Sequence, residues 1–443
     1  MTTKTFSKKS WIILILFGII GQIAWSVENM YFNLFVFKNI SPDLSAITLM
    51  VQLSGVVATV VTLFVGTLSD KIGNRRAFIS YGYIIWGVTV ALFGFISPSL
   101  MASIFGVDTE SAIKIALTVA IVGDCVMTLF GSSANDAAYN AWVTDNTSSE
   151  YRGKVEGVVS ILPLIAMLIV AGGFGILVEA FEYSTVFLFL GIIISISGIY
   201  GRFTIKDNPT LSSSGSMKDI FYGFKISSVK RDVPFYLTLV IVLIYGIACQ
   251  VFMPYMIIYM QENLGFEVIE YSLVFGIAII GGALINLYLT RLSDRCNKVK
   301  MLYIGTTVFA LGLLGMYFAK GISKIPLLIL FGVFGLVMIS GYIFISALSG
   351  AIIRDNTREG SVGKLQGVRM VFAVLIPMIV GPMIGNAINA ARNIPISSEN
   401  PETAMTTLYI PAPEIFLAAS IISLLLFPMI FILDRRFKKK TDK

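Results

Sequence analysis

The sequence predicts an all-α membrane protein of twelve transmembrane helices, arranged as two pseudo-symmetric six-helix halves. Three observations predict it. The 443 residues are 56% hydrophobic and only 13% charged, where a soluble domain carries about 25% charged residues. Many apolar runs reach 18 residues or more, the length at which a helix crosses the hydrocarbon of a bilayer. One long stretch is also written twice, as TDNTSSEYRGKVEGVVSILPLIAMLIVAGGFG at 144–175 and RDNTREGSVGKLQGVRMVFAVLIPMIVGPMIG at 354–385.

Both copies open on Asp-Asn-Thr, pass through Gly153-Lys154 or Gly363-Lys364 to a second glycine, Gly157 or Gly367, and continue into an apolar run 210 residues apart. A second pair keeps the same order: LSDKIGNRR at 68–76 and LSDRCNKVK at 292–300, at an offset of 224. The 14-residue difference falls where the first half has the loop-like SPSLMASIFGVDTESA. Two halves with charged turns at matching places are the mark of a duplicated helical unit.

The spans expected in order are 11–35, 46–68, 77–97, 113–142, 155–178 and 184–203 in the N-terminal half, domain 1–203. A polar linker, 204–234, comes next, with a short amphipathic surface helix or a plain basic connection as equal readings of its second part. The C-terminal half, 235–443, gives 235–260, 269–290, 301–319, 326–352, 363–388 and 413–433, and ends in a basic tail. A β-barrel would need short alternating strands instead. No cleavable leader is expected, because the first run comes after Lys8-Lys9, lacks a small-residue cleavage site and is succeeded by further spans.

Basic residues orient the chain. Of the 33 lysines and arginines, 27 lie on the side of both termini and the linker, five on the other side, and Arg369 inside a span. The positive-inside rule then puts both termini in the cytoplasm of a multi-pass cell-membrane protein. The net charge of +7 stems from topology and contact with anionic lipid, and argues for no nucleic acid partner. Cys125, Cys249 and Cys296 have no metal spacing and imply no disulfide framework. With no metal cluster, nucleophile–base set or phosphate loop, an enzyme, a resident cofactor and a metal are not expected. No histidine is present, so proton chemistry falls to Asp or Glu.

GTLSDKIGNRR, with Gly66, Asp70, Gly73, Arg75 and Arg76, resembles the loop between the second and third helices of the major facilitator superfamily. The duplication, the twelve spans and the degenerate second copy around Asp294 extend the likeness over essentially the whole chain. The resemblance implies that fold and a secondary transporter working by alternating access. Asn135-Asp136-Ala137-Ala138-Tyr139-Asn140, with Thr144-Asp145, Arg152 and the FGIIGQIAW start of the first span, is similar to the glycoside-pentoside-hexuronide cation symporters. Two departures stand beside that narrower likeness. The second span, Val51 to Gly66, lacks the aspartate pair of the sodium-coupled melibiose carriers, and Ala138 stands where the family usually has proline.

The turn aspartates Asp70 and Asp294 end even-numbered helices at the cytoplasmic face, and the first turns of helices eleven and five offer free amides and a positive dipole end, with which the superfamily resemblance pairs them. The superfamily resemblance makes them a cytoplasmic gate, with Arg75, Arg76, Arg152 and Arg354 as support; otherwise they are ordinary loop charges. Buried ionisable groups in spans usually pair or face water. Glu28 lies about 17 residues, roughly 26 Å, into the first span. Around it Gln22, Ser26, Asn29 and Asn33 recur at helical spacing as one polar stripe, with Trp25 and Tyr31 close by. Asp124 and Asp136 are separated by about 18 Å along the fourth span and roughly 120° around it, so one small ligand is not expected to touch both. Asp136 shares a face with Asn140; Asp124 shares one with Thr128 and Asn135, and an outer-water position is an open reading for it. Arg369 either snorkels toward cytoplasmic water, pairs with Asp136 or Glu156 across a cavity, or anchors an anionic substrate group.

From these residues, the expected substrate contacts are Gln22, Trp25, Ser26, Glu28, Asn29, Tyr31, Asn140, Tyr255, Asn286 and Arg369. The expected cation-coupling groups are Asp136, Asp124 and Glu28, with the proton or sodium as coupling ion. The function expected is cation-coupled symport of a sugar or glycoside by a monomer surrounded by membrane lipids. The alternative is proton-coupled export or translocation of an amphipathic solute, a lipid or a lipid-linked sugar.

Overall fold

A computed structural model describes residues 7–147, 152–207, 223–293, 297–357, 362–395 and 408–441. Over these residues the regular structure is helical apart from one two-residue antiparallel pairing, β1 (Ile394–Pro395) with β2 (Tyr409–Ile410). The first half gives α1 (Lys8–Ile40), α2 (Leu44–Ile72), α3 (Arg75–Phe93), α4 (Pro98–Phe105), α5 (Thr109–Asn146) and α6 (Gly157–Thr204, in a helix opened by Arg152). The second gives α7 (Ile226–Arg231), α8 (Val233–Asn263), α9 (Val268–Ser293), α10 (Lys298–Phe318), α11 (Lys324–Asp355), α12 (Gly367–Arg392) and α13 (Glu414–Phe437).

Among the described residues, eleven helices are long and apolar enough to cross a membrane, where the sequence predicts twelve spans. The difference lies in α6, which runs 48 residues but leaves helical geometry at Glu182, φ 64° and ψ 158°. A second expectation is corrected between α3 and α5. The loop-like 97–112 contains a two-turn helix, because Ser97 caps the amide of Leu100, Pro98 presets the first turn, and Gly106 takes the left-handed φ of 65° that closes α4.

The helices divide into two compact units. The first holds Met1–Ser41 and Leu53–Ile220; the second holds Pro42–Gln52 and Phe221–Lys443. In the first unit α3 lies against the far part of α6 with backbones almost touching: a Cβ on Gly87 would meet the Gly191 carbonyl at 2.3 Å. An aromatic wedge closes one end, where Phe32 stacks on Phe93 at 4.1 Å and Phe35, Tyr183 and Phe187 pack edge-on around them. In the second unit α10 and α11 approach as closely, with Gly312 against the backbone of Met338. Small residues allow such contacts where lipid provides no hydrophobic drive.

Among the described residues, six π-helical turns interrupt these helices: Glu28–Phe32 and Val36–Ile40 in α1, Ser132–Tyr139 in α5, Val170–Phe174 in α6, Tyr259–Asn263 in α8 and Val371–Leu375 in α12. A π-turn inserts a residue into the ladder and rotates the rest of the helix, and such turns gather at functional sites.

Candidate functional site

Glu28, at the start of the first π-turn, is buried in the N-terminal unit. Its Oε1 accepts from Ser54 Oγ of α2 at 3.0 Å and from Thr128 Oγ1 of α5 at 3.0 Å; the two hydroxyls are 2.7 Å apart. Asp124 is 2% exposed, one turn before Thr128, and lies against both Ser54 and Glu28. This corrects the reading of Asp124 as a group near outer water. The physical reason is Thr128: at i+4 it shares the face of Asp124, and that face is turned into α1 and α2. Glu28 Oε2 and Asp124 Oδ1 have no hydrogen-bond partner among the described residues, so two carboxyl groups share one buried hydroxyl pair.

The polar stripe of α1 is divided accordingly. Gln22 and Ser26 are half-buried and Asn29 is exposed, whereas Glu28, one residue and about 100° from Asn29, points the other way. Asn29 Nδ2 donates to the Trp25 carbonyl and Asn33 Nδ2 to the Asn29 carbonyl, so both amides serve their own helix. Asn33 is buried. Tyr31 is buried against Phe174.

A second polar node lies in the π-turn of α5. Asp136 is half-buried; its Oδ2 accepts from Ser132 Oγ at 3.1 Å and its Oδ1 from Asn135 Nδ2 at 3.3 Å. The indole N–H of Trp25 approaches the same carboxylate without completing a hydrogen bond. Asn135 Oδ1 accepts from Tyr83, whose hydroxyl also reaches the Phe17 carbonyl, and Tyr139 donates to the Leu14 carbonyl at 2.6 Å. Gly21 makes this approach possible, since a Cβ there would sit 2.3 Å from Asn135 Oδ1. Trp25 packs on Trp86 at 5.1 Å between the two nodes. Asn140 is exposed, with Nδ2 on the Asp136 carbonyl.

The C-terminal unit places its expected contacts differently. Tyr255 is fully buried and its hydroxyl is committed to Thr48 Oγ1 at 2.6 Å and the Pro382 carbonyl at 3.0 Å. Asn286 is buried, donating to the carbonyls of Gly282 and Ser340. Arg369 is exposed. Neither Tyr255 nor Asn286 stands open in the way a substrate contact would.

At the turn after α2, Gly73 takes φ 69°, a value that favours glycine. Arg75 is buried and ion-paired with Asp145 at 3.1 Å, with Ser69 Oγ as a further acceptor. The Arg76 amide donates to Asp207, and Arg354 is exposed at the end of α11. Asp294 lies outside the described residues, as do the side chains of Asp70 and Arg152. Sequence reasoning missed Ser54, Tyr83 and Trp86; a lone serine in an apolar run carries a signal only once its facing helix is known.

The model of the Major Facilitator Superfamily matches residues 11–382 and again 238–443. No curated protein matches the sequence. Among solved structures, a bacterial homologue of the human lysosomal transporter Spinster, inward-facing and unoccupied, superposes with a TM-score of 0.67 at 13% identity, covering 98% of both chains. The nucleoside transporter NupG gives 0.62 at 14% identity over 96% of this chain and 98% of its own. A mutant of NupG gives 0.66 at 12% over 95% and 99%. These likenesses speak for the superfamily fold and for no single transporter family within it, the glycoside-pentoside-hexuronide symporters included. The chain therefore belongs to the major facilitator superfamily: it is a multi-pass secondary transporter of alternating-access architecture, and not an enzyme.

Proposed function

We propose that the protein is a proton-coupled translocator of an amphipathic solute, a lipid or a lipid-linked sugar among them, in preference to a cation–sugar symporter. The observation that carries this reading is the Glu28–Asp124 pair: two carboxyl groups buried around one pair of hydroxyls, bonded to no basic group among the described residues. Two charges so placed repel and are poorly solvated, so the pair suits a proton that is taken up and released once per cycle. Asp136, half-buried beside Trp25, is the acid that water and solute reach. Of the amides expected to grip a sugar, Asn286 donates to the Gly282 and Ser340 carbonyls, and Asn29 and Asn140 each donate to a carbonyl of their own helix, which leaves fewer donors for a sugar. A fold shared over 98% of both chains with the Spinster homologue is compatible with this reading.

The same proposal includes the architecture. At 1.5 Å per residue the 48 residues of α6 would extend about 72 Å, more than twice the hydrocarbon thickness, so the break at Glu182 marks a reversal and the twelfth span. The halves are 1–203 and 235–443 around the linker, acting as a monomer with both termini cytoplasmic. Asp70 and Asp294 with Arg75, Arg76, Arg152 and Arg354 form the cytoplasmic gate.

The test uses protein in sealed vesicles under an imposed pH gradient, an imposed sodium gradient or neither, with labelled lysophospholipid, glycosides and nucleosides as solutes. The expected result is accumulation of the amphipathic solute driven by the pH gradient alone and lost in Glu28→Gln. Sodium-driven uptake of a glycoside without a pH gradient would overturn the proposal in favour of symport.

A further inference from the structure

The last turns of the linker are built onto the C-terminal unit. Tyr236 of α8 donates its hydroxyl to the Gly223 carbonyl, and a Cβ on Gly223 would meet Val368 Cγ2 at 2.4 Å and Leu365 Cδ2 at 3.5 Å. Those two side chains join Phe235, Tyr236, Leu239 and Ile353 in one buried apolar cluster. From Gly223 the chain passes through Phe224 and Lys225 into α7, and only Asp232 separates α7 from the span α8. Ser228 and Asp232, at i and i+4, are buried and fix the inner face of α7. At 100° per residue, Ile226 and Lys230 each lie about 160° from Ser228, on the outer face. That face carries apolar and basic side chains and no acid. Phe224, Ile226 and Val229 are 44%, 72% and 39% exposed, with Lys225, Lys230 and Arg231 exposed beside them. Arg231 pairs with Asp232 at 3.1 Å, whereas Lys225 and Lys230 have no ion pair among the described residues.

We propose that Phe224–Arg231 is a binding surface for anionic phospholipid, with Phe224, Ile226 and Val229 seated among the upper acyl carbons and Lys225 and Lys230 on headgroup phosphates. Three observations name this occupant. The face is both apolar and basic, and the lysine stems extend the apolar surface while their ammonium groups reach the phosphate layer. It stands two residues from Val233, where a membrane-spanning helix begins, so the headgroup layer is at hand. And the segment from Phe224 to Arg231 holds three basic residues without an acid, the complement of an anionic leaflet. The Gly223 anchor keeps this face turned outward, since Ser228 and Asp232 occupy the inner one. Of the two readings that the sequence leaves equal for the end of the linker, this one selects the surface helix over the plain basic connection. It depends neither on the transported solute nor on the coupling ion.

The test places an environment-sensitive nitrobenzoxadiazole label on Ser227→Cys, an exposed position that leaves every apolar and basic residue of the face intact, with Cys125, Cys249 and Cys296 replaced. The full chain is held one copy to a disc, in lipid discs of phosphatidylcholine alone or of phosphatidylcholine with a quarter phosphatidylglycerol. In the anionic discs the label should emit further to the blue and be quenched by spin-labelled acyl chains. Most of that shift should be absent in phosphatidylcholine alone and reversed by about 1 M salt, which screens the headgroup charge. Lys225→Gln and Lys230→Gln should each lower the ratio of inserted to free label about fivefold, the worth of one basic residue at an anionic surface. Ile226→Ser should lower insertion while keeping its dependence on salt. A label equally inserted in both kinds of disc overturns the part given to lipid charge, and a label open to water in both overturns the site and hands the face to a soluble partner. No solute or gradient enters the measurement, so its failure is distinct from that of the vesicle uptake experiment.

Discussion

The two units divide the chemistry between them. The N-terminal unit holds three carboxyl groups in the interior of α1 and α5: Glu28, Asp124 and Asp136. Among the described residues, the buried acids of the C-terminal unit are Asp232, just before α8, and Asp434, in the basic last part of α13, while Tyr255, Asn286 and Asn389 in its helices are neutral and bonded to backbone. Within the N-terminal unit the cost of burying ionisable groups is offset at two nodes, by Ser54 and Thr128 at Glu28 and by Ser132 and Asn135 at Asp136.

The largest effect expected of that division is on coupling. Glu28→Gln or Asp124→Asn should reduce gradient-driven accumulation to the level of protein-free vesicles while leaving solute exchange intact, whereas Asn286→Ala in the other unit should keep most accumulation. Comparison of active uptake with counterflow decides it; equal losses from both units would erase the contrast.

A smaller effect separates packing from chemistry. Gly21→Ala drives a Cβ to 2.3 Å from Asn135 Oδ1, and Gly385→Ala drives one to 2.2 Å from the Val251 carbonyl. Overpacking of this kind costs about 1–3 kcal/mol, so both should lower the melting temperature of purified protein comparably. Only Gly21→Ala should depress transport beyond its loss of folded protein, because it displaces the Tyr83–Asn135–Asp136 node.

Glu182 offers a change of opposite sign. Its φ of 64° with ψ 158° is a region left almost entirely to glycine and costs on the order of 1–3 kcal/mol, so Glu182→Gly should raise the melting temperature. A fall would mean that the side chain stabilises the turn in a way its exposure does not indicate.

The smallest effect concerns pH. Asp108, in the turn before α5, has its carboxyl held below the usual carboxylate range by its hydrogen bonds to Ser111. A lowered folded-state pKa contributes stability that is present above the ordinary carboxylate range and lost as pH falls through the lowered value. Asp108→Asn should flatten that acid limb slightly in thermal melts and leave neutral pH nearly unchanged.

The class, most span boundaries and the turn at Gly73 are legible in the sequence because hydropathy and duplicated turns are local properties. The face of Asp124 is only half legible: its i+4 relation to Thr128 can be read, but not that α1 and α2 cover that face. Ser54 is silent for the same reason, since its partner Glu28 lies 26 residues away. Tyr255 reads as a substrate contact because aromatic hydroxyls in apolar runs look alike from sequence, whether they meet a solute or a carbonyl. Register is lost wherever a π-turn intervenes.

Those wide turns make the chain sensitive to length as well as to identity. Each holds one residue more than an α-helical ladder requires, so deletion of a single residue between Glu28 and Phe32 could return α1 to regular geometry at no cost in backbone hydrogen bonds. Everything on the far side would then keep its bearing relative to Glu28, whereas the same deletion in a regular stretch of α1 would turn it by about 100°. Point substitutions sample side chains at fixed bearings; in this protein, deletions outside the wide turns of α1 and α5 sample the bearings themselves, and deletions inside them are absorbed.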